Sequence, residues 1–290
     1  MAAPLRGTPV GVRYAQYGLV GTNGFGYGTV GESAAVNTTM SAKLLRYPKN
    51  ATLPQPQRVI TPITGGDRFL GQVMFGPNDF GSFPLVLANW DAEFSALATA
   101  SVADQTTNSR WTRTSDNLDE TDLPQMFLIL ATLFQSRDDD SDGVNYWANW
   151  IIPRCQIAPQ NPGAQYQAAA EVTYTVTPTY SKYEPTGLPL SGTGMGLAND
   201  RALATCIITN KPLALTNYLA NGVATTFVLG FRPAYATPLT VNATPNEMIK
   251  NGTPTALSAV NTSSGQVTLA AAGSSGDKIG VFYETDFVGI

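Results

Sequence analysis

Apolar and polar positions alternate most strictly near the C-terminal end of the chain. Thr225, Phe227 and Leu229 alternate with Thr226, Val228 and Gly230, and Val267 and Leu269 alternate with Gln266, Thr268 and Ala270. Pro233 and Pro238 punctuate the interval, and the turn Gly273-Ser274-Ser275-Gly276-Asp277 precedes an apolar run over 279–283. A period of two in β-branched and aromatic residues, broken at short intervals by Gly, Pro, Asn and Asp, predicts a small antiparallel β-sandwich of immunoglobulin-like type. Its boundary falls at residue 209, so that 209–290 form a C-terminal module and 1–208 a separate domain.

Upstream, 42–108 also reads as strands with proline-marked turns: "AKLLRYP", "QRVITPITGGDRFLGQVMFG" and "FPLVLANWDAEFSALATAS". In the last, Asp91, Glu93 and Ser95 alternate with Trp90, Ala92 and Phe94, predicting one wet and one buried face. Asp91 and Glu93 would share that wet face, where a solvated surface is a better reading than acid/base chemistry. Val172, Tyr174 and Val176 alternate with Thr173, Thr175 and Thr177 in a further amphipathic strand.

One helix is predicted, from Asp122 to about residue 135. Asp122 supplies the N-cap, Pro124 sits in the first turn and Gln125 follows as in a capping box. Leu123, Met126, Phe127, Leu130, Leu133 and Phe134 recur at spacings of three and four. Asp116, Asp119 and Glu120 stand where the helix dipole favours negative charge.

Past this helix, Asp138, Asp140, Asp142 and Gly143 match the first half of an EF-hand calcium loop. The second half fails, with Asn145 at an apolar position and Asn149 in place of the bidentate Glu, so a solvated loop tip is the better reading. The segment 1–35 is studded with glycines among Tyr14, Tyr17, Phe25 and Tyr27. A phosphate loop would need a terminal Gly-Lys-Ser/Thr or a strand-loop-helix context, and neither is present. An extended arm that orders on a neighbouring subunit fits better. A Gly/Pro-rich connector, 184–200, separates the last of the domain's long strands from the short run "ALATCIITN".

Composition narrows the function. Only 13 % of residues are charged, against roughly 25 % in ordinary soluble domains. Thr, Ser, Asn and Gln supply the polarity, as in a subunit that buries much of itself against copies. There is no histidine in 290 residues, which removes the usual general base, the commonest zinc ligand and every Ser-His or Cys-His arrangement. No catalytic, cofactor-binding or metal-binding residue is assigned, and the chain reads as no enzyme. Net charge is −4, without a basic stripe, so tight nucleic-acid binding lacks its electrostatic basis. Cys155 and Cys206 both lie in apolar, strand-like settings and are expected as buried reduced thiols. The longest apolar run, 127–134, is too short to cross a bilayer, and no apolar stretch follows Arg6. These features predict a soluble chain made in a cytoplasm.

The pieces "ADQTTNSRWTRTSDN", "LPQMFLILATLF", "WIIPRCQIAPQ" and "AAEVTYTVTPTY", in that order, resemble the core of the major tail tube proteins of long-tailed bacteriophages. The terminal spellings Asn-Gly-x-x-Thr-Thr-Phe and Gly-Asp-x-Ile resemble accessory β-modules of phage virion proteins. The resemblance implies a tail-tube β-sandwich with one flanking helix, whose copies form hexameric rings around a barrel-lined lumen. The rings stack into a conduit through which DNA passes without specific binding, and the terminal sandwich decorates the outside. It also implies contacts with other tail proteins, no membrane and no cofactor. Two other virion roles remain open: a receptor-binding or capsid-decorating protein, and a polysaccharide depolymerase working through paired carboxylates.

Overall fold

A computed structural model describes residues 7–19, 38–45, 48–51, 57–65, 68–79, 81–98, 102–104, 110–112, 126–136, 146–159, 171–178, 205–236, 247–250 and 253–287. The fold is mainly β, in several antiparallel sheets. The strands are β1 (Gly7–Leu19), β2 (Thr38–Ser41), β3 (Lys43–Leu45), β4 (Pro48–Ala51), β5 (Gln57–Gly65), β6 (Arg68–Asp79) and β7 (Phe83–Leu87). The helix α1 (Ala92–Ala98) follows, then β8 (Val102–Asp104), β9 (Arg110–Thr112), β10 (Met126–Ser136), β11 (Tyr146–Pro159), β12 (Val172–Pro178) and β13 (Thr205–Thr209). The remaining strands are β14 (Leu213–Leu219), β15 (Thr226–Val228), β16 (Glu247–Lys250), β17 (Thr253–Val260), β18 (Gln266–Leu269) and β19 (Lys278–Glu284).

The first large sheet runs β3-β1-β10-β11-β12-β7-β4, with β13 added to β11. It curls until β4 passes beside β1, where the Lys49 carbonyl faces Gly11, but the ladder does not close into a barrel. Gly11 has φ +81° at a register shift in β1, a backbone state that favours glycine. The first core fills the concave side: Val12, Ala15, Tyr17, Leu45, Leu85, Leu87, Leu128, Leu130, Ile152 and Tyr174 are among its buried members. The second large sheet runs β15-β18-β17-β16-β19-β14-β2. β17 pairs β16 through its first half and β18 through its second, with a register shift between Leu257 and Ala259. Both halves of the sheet share one core of Ala214, Tyr218, Phe227, Leu229, Val267, Leu269, Ile279, Val281 and Tyr283. Tyr218 stacks on Phe227 with ring centroids 4.7 Å apart.

The C-terminal expectations are met where they rest on alternation. Phe227 and Leu229 are buried while Thr226 and Val228 are exposed, but Thr225 is exposed as well, and Gly230 faces Ser41 so closely that a Cβ would overlap it. β18 alternates as read, and the turn before β19 is closed by Asp277, whose Oδ2 accepts from the Ser274 amide at 2.6 Å. β12 likewise buries Val172, Tyr174 and Val176.

Three expectations are corrected. The run 126–135 is not helix but the central strand β10, paired with β1 on one side and β11 on the other. Met126 through Ala131 are all buried, on both faces of the strand. The helical spacing was not selective, because Leu128, Ile129 and Ala131 between the chosen positions are apolar too. A strand covered on both faces has the same composition as a buried helix turn. The proposed cap at Asp122 lies outside the described residues. The second correction concerns Asp91, Glu93 and Ser95, which lie at the start of α1 and within it and not on a strand. Asp91 is the N-cap: its carboxylate accepts from the Phe94 amide at 2.9 Å, and its carbonyl accepts from the Ser95 amide. Phe94 then drives into the first core, edge-on to Tyr17 and Tyr174. Among the described residues the helix is α1, not 122–135. Third, 1–35 is not an arm over its full length, since Gly7–Leu19 is an interior strand of the first sheet.

Candidate functional site

No cleft with converging catalytic groups emerges from the described residues; what they offer is a seam between sheets and a set of sheet edges. The seam is built where β14 runs against β10. Every residue from Leu213 to Tyr218 is buried. The even-numbered side chains Ala214 and Tyr218 enter the second core, which turns Leu213, Leu215 and Asn217 to the opposite face of the strand. Phe127, Ile129 and Ala131 of β10 likewise lie on the face opposite the first core.

Buried amides fix the start of β14 at this seam. The Leu213 amide donates to Asn149 Oδ1 at 2.9 Å, while the Leu213 carbonyl accepts from Gln16 Nε2. Asn149 Nδ2 donates to Thr209 Oγ1 at 2.8 Å, and that hydroxyl donates to the Lys211 carbonyl. Gln16 belongs to β1 and Asn149 to β11, so one residue of the second sheet is held by two strands of the first. Gln16 Oε1 and both side-chain atoms of Asn217 are buried without a hydrogen-bond partner. β2 adds a further tie. It is the edge strand of the second sheet, while β3, one residue later, belongs to the first. The Ala42 amide between them donates to the Leu215 carbonyl. Residues 38–41 thus complete a sheet whose other strands all lie beyond 209.

An aromatic row crosses the same boundary. Trp147, Tyr14, Phe287 and Phe231 follow one another with ring centroids 5.4, 4.6 and 5.2 Å apart. Phe287 adopts φ 55° to take its place in the row, and its amide donates to Thr285 Oγ1.

The carboxylates singled out in the sequence are engaged in the fold. Glu93 pairs with Lys43 and Asp91 caps α1. Other acids are tied up as well: Glu171 with Lys49, Asp277 with Lys250 and Asp286 with Lys211. Glu284 Oε1 accepts from the Asn210 and Lys211 amides. Asp138, Asp140 and Asp142 lie outside the described residues, as does the connector 184–200. Among the described residues no group of three or more His, Cys, Asp or Glu side chains is placed to hold a metal ion. No helix among the described residues is long and apolar enough to cross a membrane.

The cysteines are both free, and one differs from expectation. Cys155 is buried, and burial pushes its thiol well above the usual range. Cys206 is exposed on β13, opposite Trp150. Burial also raises the Tyr17 and Tyr174 hydroxyls. Asp91 adds to both shifts, and the Ser95 hydrogen bond at 2.6 Å opposes that of Tyr174.

The unpaired edges are the second feature. β5 and β6 form a hairpin of 9 and 12 residues that joins neither large sheet. β8 and β9 form another short pair of their own. Compared with protein-family models, curated proteins and solved structures, the chain matches none. What it can do must then be read from its own residues. Gln16 was missed in the sequence, and Asn149, weighed only as the last position of a calcium loop, is instead a buried amide of β11, for which its place in the apolar run "YWANWII" was the available signal.

Proposed function

We propose that this chain is a virion structural protein, the major tail tube subunit of a long-tailed phage, whose hexameric rings stack into a DNA conduit. The observation that carries the reading is the β5–β6 hairpin, which pairs only with itself among the described residues. A two-stranded hairpin alone is marginally stable in water and gains stability by packing on further strands or another surface. Neighbouring copies supply such a surface, and closed rotational symmetry keeps the contact finite within a ring. The low charge density of the whole chain and the order of its sequence pieces support the same reading. The acidic balance suits a lumen past which DNA slides without sticking. The module 209–290 would stand on the outside of the tube, and other tail proteins would meet its ends.

Such a protein works mechanically and needs no catalytic group, consistent with a chain that lacks histidine. Electron microscopy of the purified protein is the test. Sixfold rings or tubes with a constant lumen are expected. Threefold spikes would favour a receptor-binding or decorating role, and dispersed monomers at high concentration would remove the tube reading.

A further inference from the structure

Among the described residues β13 is paired along one side only. It lies against β11, with Thr205 to Thr209 opposite Ile151 to Trp147, and no described strand takes its other side. Natural edge strands are guarded by lysine, proline, inward charges or bulges. Thr205-Cys206-Ile207-Ile208-Thr209 contains no charge and no proline, and its ladder with β11 shows no register shift. Cys206 and Ile208 are also uncovered, Ile208 with 49 % of its surface exposed. They stand opposite Trp150 and Ala148, and Trp150 packs against the first core. The exposed pair therefore continues the apolar side of the first sheet beyond the point where its core ends.

The strand is self-complementary about its centre. Antiparallel pairing of two copies around Ile207 sets Thr205 opposite the second copy's Thr209, and Cys206 opposite the second copy's Ile208. Apolar cross-strand pairs such as Cys206 with Ile208 are favourable, and a twofold contact repeats each of them, while the Thr209 hydroxyl stays with Asn149 and Lys211. We propose that β13 is a self-docking edge through which two copies of this chain join their first sheets in one antiparallel ladder. The contact closes after two copies and does not propagate. It is thus separate from the open-ended contacts of a tube, and before larger assembly it covers the side of β13 that no described strand takes.

Directly opposed residues in an antiparallel pair lie within disulfide range. In the full-length Ile208→Cys variant, Cys206 should meet the second copy's new thiol under mild oxidation. A reductant-reversible dimer should form at least about tenfold faster than in Asn210→Cys, where no thiol lies opposite. Ile208→Lys, at an exposed position that tolerates charge, should sediment as a smaller species than the wild type. Cross-linking of Ile208→Cys no faster than Asn210→Cys would overturn the proposal. So would Ile208→Lys and wild-type chains of equal mass, which would assign the edge to some other strand. A chain that makes no tubes but cross-links as stated would sink the tail-tube reading and leave this one standing.

Discussion

β18 and β10 occupy opposite situations in the same molecule. β18 lies toward one end of the second sheet and spends one face on the core: Val267 and Leu269 are buried while Gln266 is exposed. β10 lies in the middle of the first sheet, with buried side chains on both faces from Met126 to Ala131. One face of β10 builds the first core, and the other lies on the side where β14 approaches. The difference teaches where cooperativity resides. A one-faced strand contributes to one core, whereas a two-faced strand couples whatever lies on its two sides.

The largest effect should come from removing the other partner of that central strand. Deleting residues 1–30 takes away β1, which stands between β3 and β10. The truncated chain should lose its cooperative thermal transition altogether. A folded truncated chain would restore the view of this segment as an arm.

Paired substitutions sharpen the contrast. Phe127→Ala and Leu128→Ala, on opposite faces of β10 and both fully buried, should each cost about 3 to 5 kcal/mol in chemical denaturation. On β18, Leu269→Ala should cost about 2 to 4 kcal/mol, but the exposed Gln266→Ala less than about 0.5. A small loss at either β10 position would mean that one of its faces is not core.

Alkaline pH probes the second core. Burial, partly opposed by hydrogen bonds with Thr216, Phe231 and Gly230, pushes the Tyr283 hydroxyl up to about 12. A raised folded-state value favours the protonated form, so this contribution is intact below the unfolded value near 10. It is lost as pH rises from about 10 through 12, by about 3 kcal/mol in all. Urea melts across that range should show a fall that is shallower in Tyr283→Phe.

The seam amide should matter less than the core but more than a surface group. Asn149→Ala leaves the buried Leu213 amide without its acceptor, at about 1 to 3 kcal/mol. A neutral outcome would show that β14 is held by its apolar faces alone.

These situations also explain what the sequence disclosed. Where one face of a strand is wet, the alternation is written into residue type, as in Val172-Thr173-Tyr174-Thr175-Val176 and across β18. The turn over 273–277 was equally open: Asp277 Oδ2 accepts from the Ser274 amide, and Gly276 takes φ +87°. Where both faces are buried, polarity carries no period, and Met126 to Phe134 could be read as helix. Asp91-Ala92-Glu93-Phe94 shows the converse error, since two turns of helix can mimic alternation until the cap at Asp91 is recognised. The seam between the sheets was less legible still. Buried Gln16 and Asn149 act through partners more than sixty residues away, at Leu213, and no local pattern announces such a pairing.

β10 and β14 should bind the two sheets into one cooperative body. Native-state hydrogen exchange across a denaturant series measures this strand by strand. The amides of β10, β14 and β19 should exchange only through one common opening, with the free energy and denaturant dependence of global unfolding. An opening of β14 and β19 well below that of β10 would contradict the claim and make the second sheet an independent unit.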